Sequence, residues 1–265
     1  MIPLEQINKC RSLSVYLRAV FFLSLTVVQP AEAIGVFWSR DIKGAIVNAD
    51  TGEPVKGVVV TASWILLPWG TSRPHGTLRA TEGLTNDQGQ YTLPGWGPKA
   101  SLLGHLEDDQ PIIRFFKPGY VPLVIANNSV YHPGLEDDRD HMIKEEVALS
   151  NGRTGIRMYE PEEHRVRFGE KTHTFVLAPF SETSEEYADL LINKFNIQSD
   201  YISSLGYLIE GNKCEWKRLP LTFTTLHKLS TKLGIPKNRG KLFVWHLGGQ
   251  DRCGNAEVIF KKYLE

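Results

Sequence analysis

The stretch "IKGAIVNADTGEPVKGVVVTASW", Ile42 to Trp64, decides the fold. Two runs rich in Val and Ile flank the segment "DTGEP". In the second run Val58, Val60, Ala62 and Trp64 recur at every second position, which puts them on one face of a strand. Between the runs Gly52 supplies a positive φ and Pro54 a fixed one, so the chain turns there, and Gly57 belongs to the same punctuation. The chemistry of this stretch is backbone chemistry.

The pattern repeats downstream. "LRATEGLT" leads into "NDQG", and "QYTLPGW" leads out. Gly89 suits a left-handed position after Asn86 and Asp87. Tyr91 and Leu93 alternate with Gln90 and Thr92. "IIRFFKPGYVPLVIA", Ile112 to Ala126, reads as a further strand pair around Lys117-Pro118-Gly119-Tyr120, with Gly119 in the turn. Read as successive hairpins, strands interrupted at this pace predict an antiparallel β-sandwich.

These residues resemble the carboxypeptidase regulatory-like domain family over roughly residues 41–126. The family's opening pattern is met at Gly44, Thr51, Gly52, Pro54, Gly57 and Val60, and departs at Ile46, Asn48 and Val58. The resemblance implies a transthyretin-like Greek-key sandwich of about seven strands. It also implies an accessory module with no active site of its own.

The first 33 residues read as an address. Lys9, Arg11 and Arg18 precede the apolar run "AVFFLSLTVV", followed by Pro30 and the small residues of "AEA". That is the order of a secretory signal peptide cleaved after Ala33. Arg18 cuts the apolar run well short of the ~20 residues a membrane span needs. Cleavage removes Cys10 and leaves Cys214 and Cys253, which an oxidising compartment would join in a disulfide. Phe37 and Trp38 then anchor the new N-terminus beside the first strand.

The rest of the chain is mixed. Residues 127–163 look irregular, with a short helix opening near His141 and running to Leu149. "RVRFGEKTHTFVLAPF" reads as two short strands around Gly169, with Phe175 and Leu177 facing inward. Thr183 and Glu186 have capping-box spacing ahead of Tyr187, Leu190, Leu191 and Phe195. A second helix runs from Pro220 to Leu233, lined by Phe223, Leu226, Leu229 and Leu233, and Gly234 stops it. "KLFVWHL", 241–247, reads as a strand. The fold class is therefore α+β: an N-terminal antiparallel transthyretin-like sandwich with a C-terminal part of two helices and short strands. The division is a signal peptide at 1–33, the sandwich at 34–126, an acidic loop with return strands at 127–178, and a helical tail at 179–265. The helices either form a separate lobe or cover an outer face of the sandwich.

Composition excludes more than it assigns. Thirty basic side chains balance thirty acidic ones in 265 residues, so no single-sign field draws the protein to nucleic acid. No G-x-S-x-G elbow, phosphate loop, G-x-G-x-x-G or C-x-x-C is present. Trp64, Trp69, Tyr91, Trp96 and Tyr120 offer material for a sugar or peptide platform, but in a sandwich such rings pack the core. The loop 132–146 carries His132, Asp137, Asp138, Asp140 and His141, a donor set suited to a metal ion at a spacing that matches no named motif. Two functions follow. The favoured one is a non-catalytic exported protein whose sandwich binds or scaffolds, with an envelope protein or glycan as partner and no cofactor. The alternative is a metal-dependent hydrolase built on loop 132–146.

Overall fold

The computed structural model describes residues 35–68, 76–102, 104–129, 131, 143–148, 154–159, 165–181, 183, 186–187, 205, 214–234 and 253–265. Along the chain lie β1 (Gly35–Ser39), β2 (Ile42–Asn48), β3 (Val59–Leu66), β4 (Gly76–Leu84), β5 (Gln90–Leu93), β6 (Trp96–Ser101), β7 (Ile112–Phe116), β8 (Leu123–Ala126), β9 (Ile143–Ala148), β10 (Thr154–Tyr159) and β11 (His173–Leu177). A 3₁₀ turn at Glu215–Arg218 precedes α1 (Pro220–Lys232), and α2 spans Ala256–Leu264. The class is α+β, and most strand pairs are antiparallel.

Two sheets face each other. One has the order β4-β3-β7-β8, the other β11-β2-β5. Between them Val58, Val60, Ala62 and Trp64 meet Ile113, Phe115, Ile42, Ile46, Tyr91, Leu93, Phe175 and Leu177 in one buried cluster. Rings knit it together, with Phe115 and Phe175 centroids 4.9 Å apart and Tyr91 and Phe115 at 5.7 Å. Burying a ring the size of Phe115 contributes roughly 2–3 kcal/mol through the apolar area removed from water.

The two turn signals at the start of the sandwich do something other than close hairpins. β2 and β3 lie in opposite sheets, and so do β4 and β5. Both loops are corners that carry the chain across the core. They stack on one another: the Ile46 N–H donates to the Gly89 carbonyl, the Val55 N–H to Ile46, and the Thr85 N–H to Val58. Gly89 has φ 69°, and a Cβ there would fall 2.4 Å from the Ile46 carbonyl oxygen. Gly52 has φ 70° with open space around it. Turn residues specify a reversal of the chain; alternation within each strand does not say which sheet receives it.

Two further expectations are corrected. The segment after His141 forms no helix at Ile143–Ala148; it is β9, paired antiparallel with β10 from Ile143↔Tyr159 to Ala148↔Thr154. Helix propensities of Lys and Glu amount to tenths of a kcal/mol per residue, and a continuous ladder outweighs them. The return strand β11 pairs parallel with β2, from His173↔Gly44 to Leu177↔Asn48, so this sheet is mixed. A C-terminal helix, α2, closes the chain with Ala256 and Phe260 buried. The proposed strand 241–247 and most of the proposed helix after Glu186 lie outside the described residues.

The outer face of the four-stranded sheet is covered. Ala80 and Phe116 pack with Trp216, Leu219, Phe223, Leu226 and Phe260, forming a second buried cluster. Every residue of β3 is buried as a result. Cys214, before the 3₁₀ turn, and Cys253, before α2, stand with sulfurs at bonding distance and Cα atoms 5.5 Å apart.

Candidate functional site

The ribbon β1–β6 continues the β2–β5 ladder beyond a bend. Ile42 is paired with Leu93, and Ser39 with Trp96. At the bend the Gly95 N–H donates to Asp41 Oδ1 at 2.8 Å, and a Cβ on Gly95 would meet the Ser39 carbonyl oxygen at 2.6 Å. The ribbon therefore leans over one end of the sandwich. Its inner side is anchored: Phe37 and Trp96 pack on the main core, with Trp96 edge-on to Trp64 at 5.1 Å. Lys99 Nζ reaches the Leu78 carbonyl and lies 3.9 Å from Glu215.

The outer side of the ribbon is apolar and exposed. Period-2 alternation sends Val36 and Trp38 outward, 50% and 68% exposed. Ala100 is the register partner of Val36, and both Ala100 and Pro98 are exposed. Leu102, just past β6, is 54% exposed. This corrects the expectation that Phe37 and Trp38 serve alike as anchors of the N-terminus. Phe37 is an anchor; Trp38 presents its ring to solvent. The signal was present in the sequence as two adjacent aromatics on a strand, which must point to opposite faces.

The aromatics considered for a platform fall elsewhere. Trp64 and Tyr91 are buried in the core, Trp96 is half-buried, and Tyr120 is half-buried beside the turn that follows β7. Trp69 lies outside the described residues. The Tyr91 hydroxyl is buried with no hydrogen-bond partner, and its pKa is raised by desolvation. Gly44 makes room for it, since a Cβ there would sit 2.5 Å from that oxygen.

A polar layer, invisible in the sequence, lies between the four-stranded sheet and α1. Thr61 on β3 is flanked in register by Glu82 on β4 and Arg114 on β7. Arg114 is fully buried and donates to Ser63 Oγ at 2.7 Å. Glu82 caps α1 from the sheet. Its Oε1 accepts the Leu221 N–H at 2.6 Å, while Oε2 accepts the Thr222 N–H at 2.8 Å and the Thr222 hydroxyl at 2.7 Å. Burial raises the Glu82 pKa against the opposing pull of these hydrogen bonds. Thr222 Oγ1 also lies 2.6 Å from Thr61 Oγ1. These groups fasten the helical layer to the sheet.

Two other sheet edges, those of β11 and β4, carry a side-chain partner. Tyr131 covers the free edge of β11, its hydroxyl accepting the Val176 N–H at 2.8 Å. In the turn between β7 and β8, the Val121 N–H donates to the Ala178 carbonyl and the Phe180 N–H to the Gly119 carbonyl. Tyr187 fastens the same corner by accepting the Gly119 N–H and donating to the Tyr120 carbonyl, with its pKa pushed up to about 12 by burial. On the edge of β4 the Ala80 N–H donates to Glu215 Oε2. Among the described residues β1 pairs with β6 alone.

His132, Asp137, Asp138, Asp140 and His141 lie outside the described residues, and among those that are described no group of three or more His, Cys, Asp or Glu converges on a metal-sized site. His173, half-buried at the ring cluster of Phe168 and Phe175, has its pKa lowered by burial, and its Nε2 accepts the Arg167 N–H. Among the described residues no helix is long and apolar enough to cross a membrane.

No protein-family model matches the chain, and no curated protein matches it. Solved structures overlap it only loosely. The dioxygenase domain of a dioxygenase carbohydrate-binding protein fusion from Streptomyces sp. SirexAA-E is 17% identical, with 58% of this chain and 86% of that one covered at a TM-score of 0.27. The 3-chlorocatechol 1,2-dioxygenase of Rhodococcus opacus 1CP is 11% identical, covering 53% and 60% at 0.26. A 9R-lipoxygenase from Cyanothece PCC8801 is 11% identical, covering 78% and 25% at 0.24. Overlaps this loose carry neither fold nor activity to this chain.

Proposed function

We propose that this chain is a non-catalytic exported protein whose two-sheet body, of the transthyretin-like kind its sequence resembles, serves binding or scaffolding in the cell envelope. The β1–β6 ribbon is its contact face, and an envelope protein or glycan is its partner. The observation that carries the reading is the exposure of Trp38, at 68%, within an apolar strip of Val36, Pro98, Ala100 and Leu102. A contiguous exposed apolar strip marks an interaction surface, and Trp is the side chain most enriched where binding energy concentrates. Export is supported by the leader-like first 33 residues and by a cysteine pair at bonding distance, which an oxidising compartment maintains.

Affinity capture from an envelope extract tests the reading. Wild-type protein is expected to retain a partner or a glycan that Trp38→Ala loses. Recovery of neither by the wild type refutes the binding role. Recovery that Trp38→Ala leaves intact removes the ribbon as its site.

A further inference from the structure

We propose that β1 is an acceptor edge for an extended polypeptide: a partner segment adds as a third strand beside Gly35–Trp38 and lays its alternate apolar side chains against Val36 and Trp38. The inference rests on the binding role proposed above and names the chemistry of the partner.

Three observations carry it. First, β1 offers a row of main-chain donors and acceptors that pair with nothing beyond β6 among the described residues, whereas β4 and β11 each have an edge N–H taken by a side chain, Glu215 and Tyr131 respectively. Second, β1 reads "GVFWS", with no Lys, no Pro and no inward charge. Those are the devices by which an edge is ordinarily kept from accepting another strand. A register shift between Phe37 and Ser39 is the one irregularity, and it limits the usable edge to about four residues. Third, the area is small. The exposed parts of Val36, Trp38, Pro98, Ala100 and Leu102 offer on the order of 400 Å², about half of the ~800 Å² per partner that a stable dimer buries. A second copy of this chain is therefore a poor occupant. A single added strand gains its main affinity from main-chain hydrogen bonds and takes only side-chain selectivity from such a strip. A glycan stacked on Trp38 would use the ring and leave the β1 main chain idle, so the open edge favours the polypeptide.

The chemistry is specific. The added segment is extended, uncharged where it crosses Val36 and Trp38, and apolar at alternate positions, because a charge there would be desolvated without a counter-ion.

The test uses the full chain and random linear peptides displayed as a library, selected on the wild type and counter-selected on Val36→Lys. Enriched peptides are resynthesised with N-methyl groups on one or the other alternate set of backbone nitrogens, and binding is followed by the tryptophan emission that Trp38→Phe removes. The expected result is roughly a tenfold or greater loss of affinity on methylating the set that faces β1, with the other set tolerated. Trp38→Ser, at a more exposed position, replaces Val36→Lys in the counter-selection should the latter fail to fold. Failure to enrich any peptide overturns the inference, as does equal tolerance of both methylated sets. So does saturable quenching of Trp38 by cell-wall oligosaccharide fragments where peptides give none, or a dimer in sedimentation that Val36→Lys abolishes. If only strand addition is wrong, the envelope capture still retains a partner that Val36→Lys does not release. If the binding role itself is wrong, that capture recovers nothing.

Discussion

Replacing Glu82 by Ala removes the acceptor that closes the N-terminus of α1. Leu219, at the cap position, offers no side-chain acceptor, so the Leu221 and Thr222 N–H groups depend on a carboxylate projecting from the sheet. Losing a helix-capping acceptor costs about 0.5–2 kcal/mol, and an orphaned buried donor costs about 1–3 kcal/mol. Relief of the desolvated charge offsets part of this, and the Thr222 hydroxyl keeps Thr61 as a partner. The expected net loss is about 2 kcal/mol, read as a lowered urea midpoint with unchanged slope. The pH dependence gives a sharper readout. The folded-state pKa of Glu82 lies above its unfolded value of 4.5 because burial outweighs the hydrogen bonds. The folded protein thus binds the extra proton within the window between the two values, and stability associated with Glu82 falls as pH rises through it. Glu82→Gln, neutral throughout, removes this slope. Measured against Glu82→Gln, the wild type should gain relative stability as pH is lowered from 7 toward 4.5. A difference that stays flat, or that moves against the wild type on acidification, refutes the assignment of Glu82 as a desolvated cap.

Other outcomes follow from single groups. Tyr91→Phe removes a buried hydroxyl without a partner and should stabilise by up to about 1 kcal/mol in denaturant unfolding; a loss of that size would mean the hydroxyl is satisfied. Gly52→Ala should cost about 1 kcal/mol, from backbone strain alone, and Gly89→Ala about 2 kcal/mol or more, because its Cβ meets the Ile46 carbonyl; equal melting of the two would contradict the stacked corners. Unreduced protein should show no alkylation at Cys214 or Cys253, and a Cys→Ser pair should lose up to ~4 kcal/mol for a sequence separation of 39. Metal analysis of protein purified without chelator should find less than one equivalent, unchanged by His132→Ala and His141→Ala; a full equivalent lost in those variants would establish the metal site on which the hydrolase alternative depends.

Much of the body is legible because alternation is local. Val58, Val60, Ala62 and Trp64 announce one buried face, and Tyr91, Leu93, Phe175 and Leu177 announce the face that meets it. What alternation omits is the other side of β3. Thr61 and Ser63 read as solvent positions, yet α1 covers them and both are fully buried. Glu82 and Arg114 likewise read as surface charges, since nothing local reveals a helix arriving from more than a hundred residues away. Sheet membership is hidden for the same reason, so "DTGEP" and "NDQG" read as hairpins when they are corners. The contact face was half legible: neighbouring Phe37 and Trp38 on a strand must diverge, but which of them meets the core depends on the bend at Gly95.

The most direct test of the contact face places a photoreactive amino acid at position 38 in cells making the protein, with position 43, exposed on β2, as the control. Irradiation should yield a discrete cross-linked species from position 38 that is absent from position 43 and suppressed by Val36→Lys. Cross-links of equal yield from both positions, or none from position 38, would contradict a binding role for the β1–β6 ribbon.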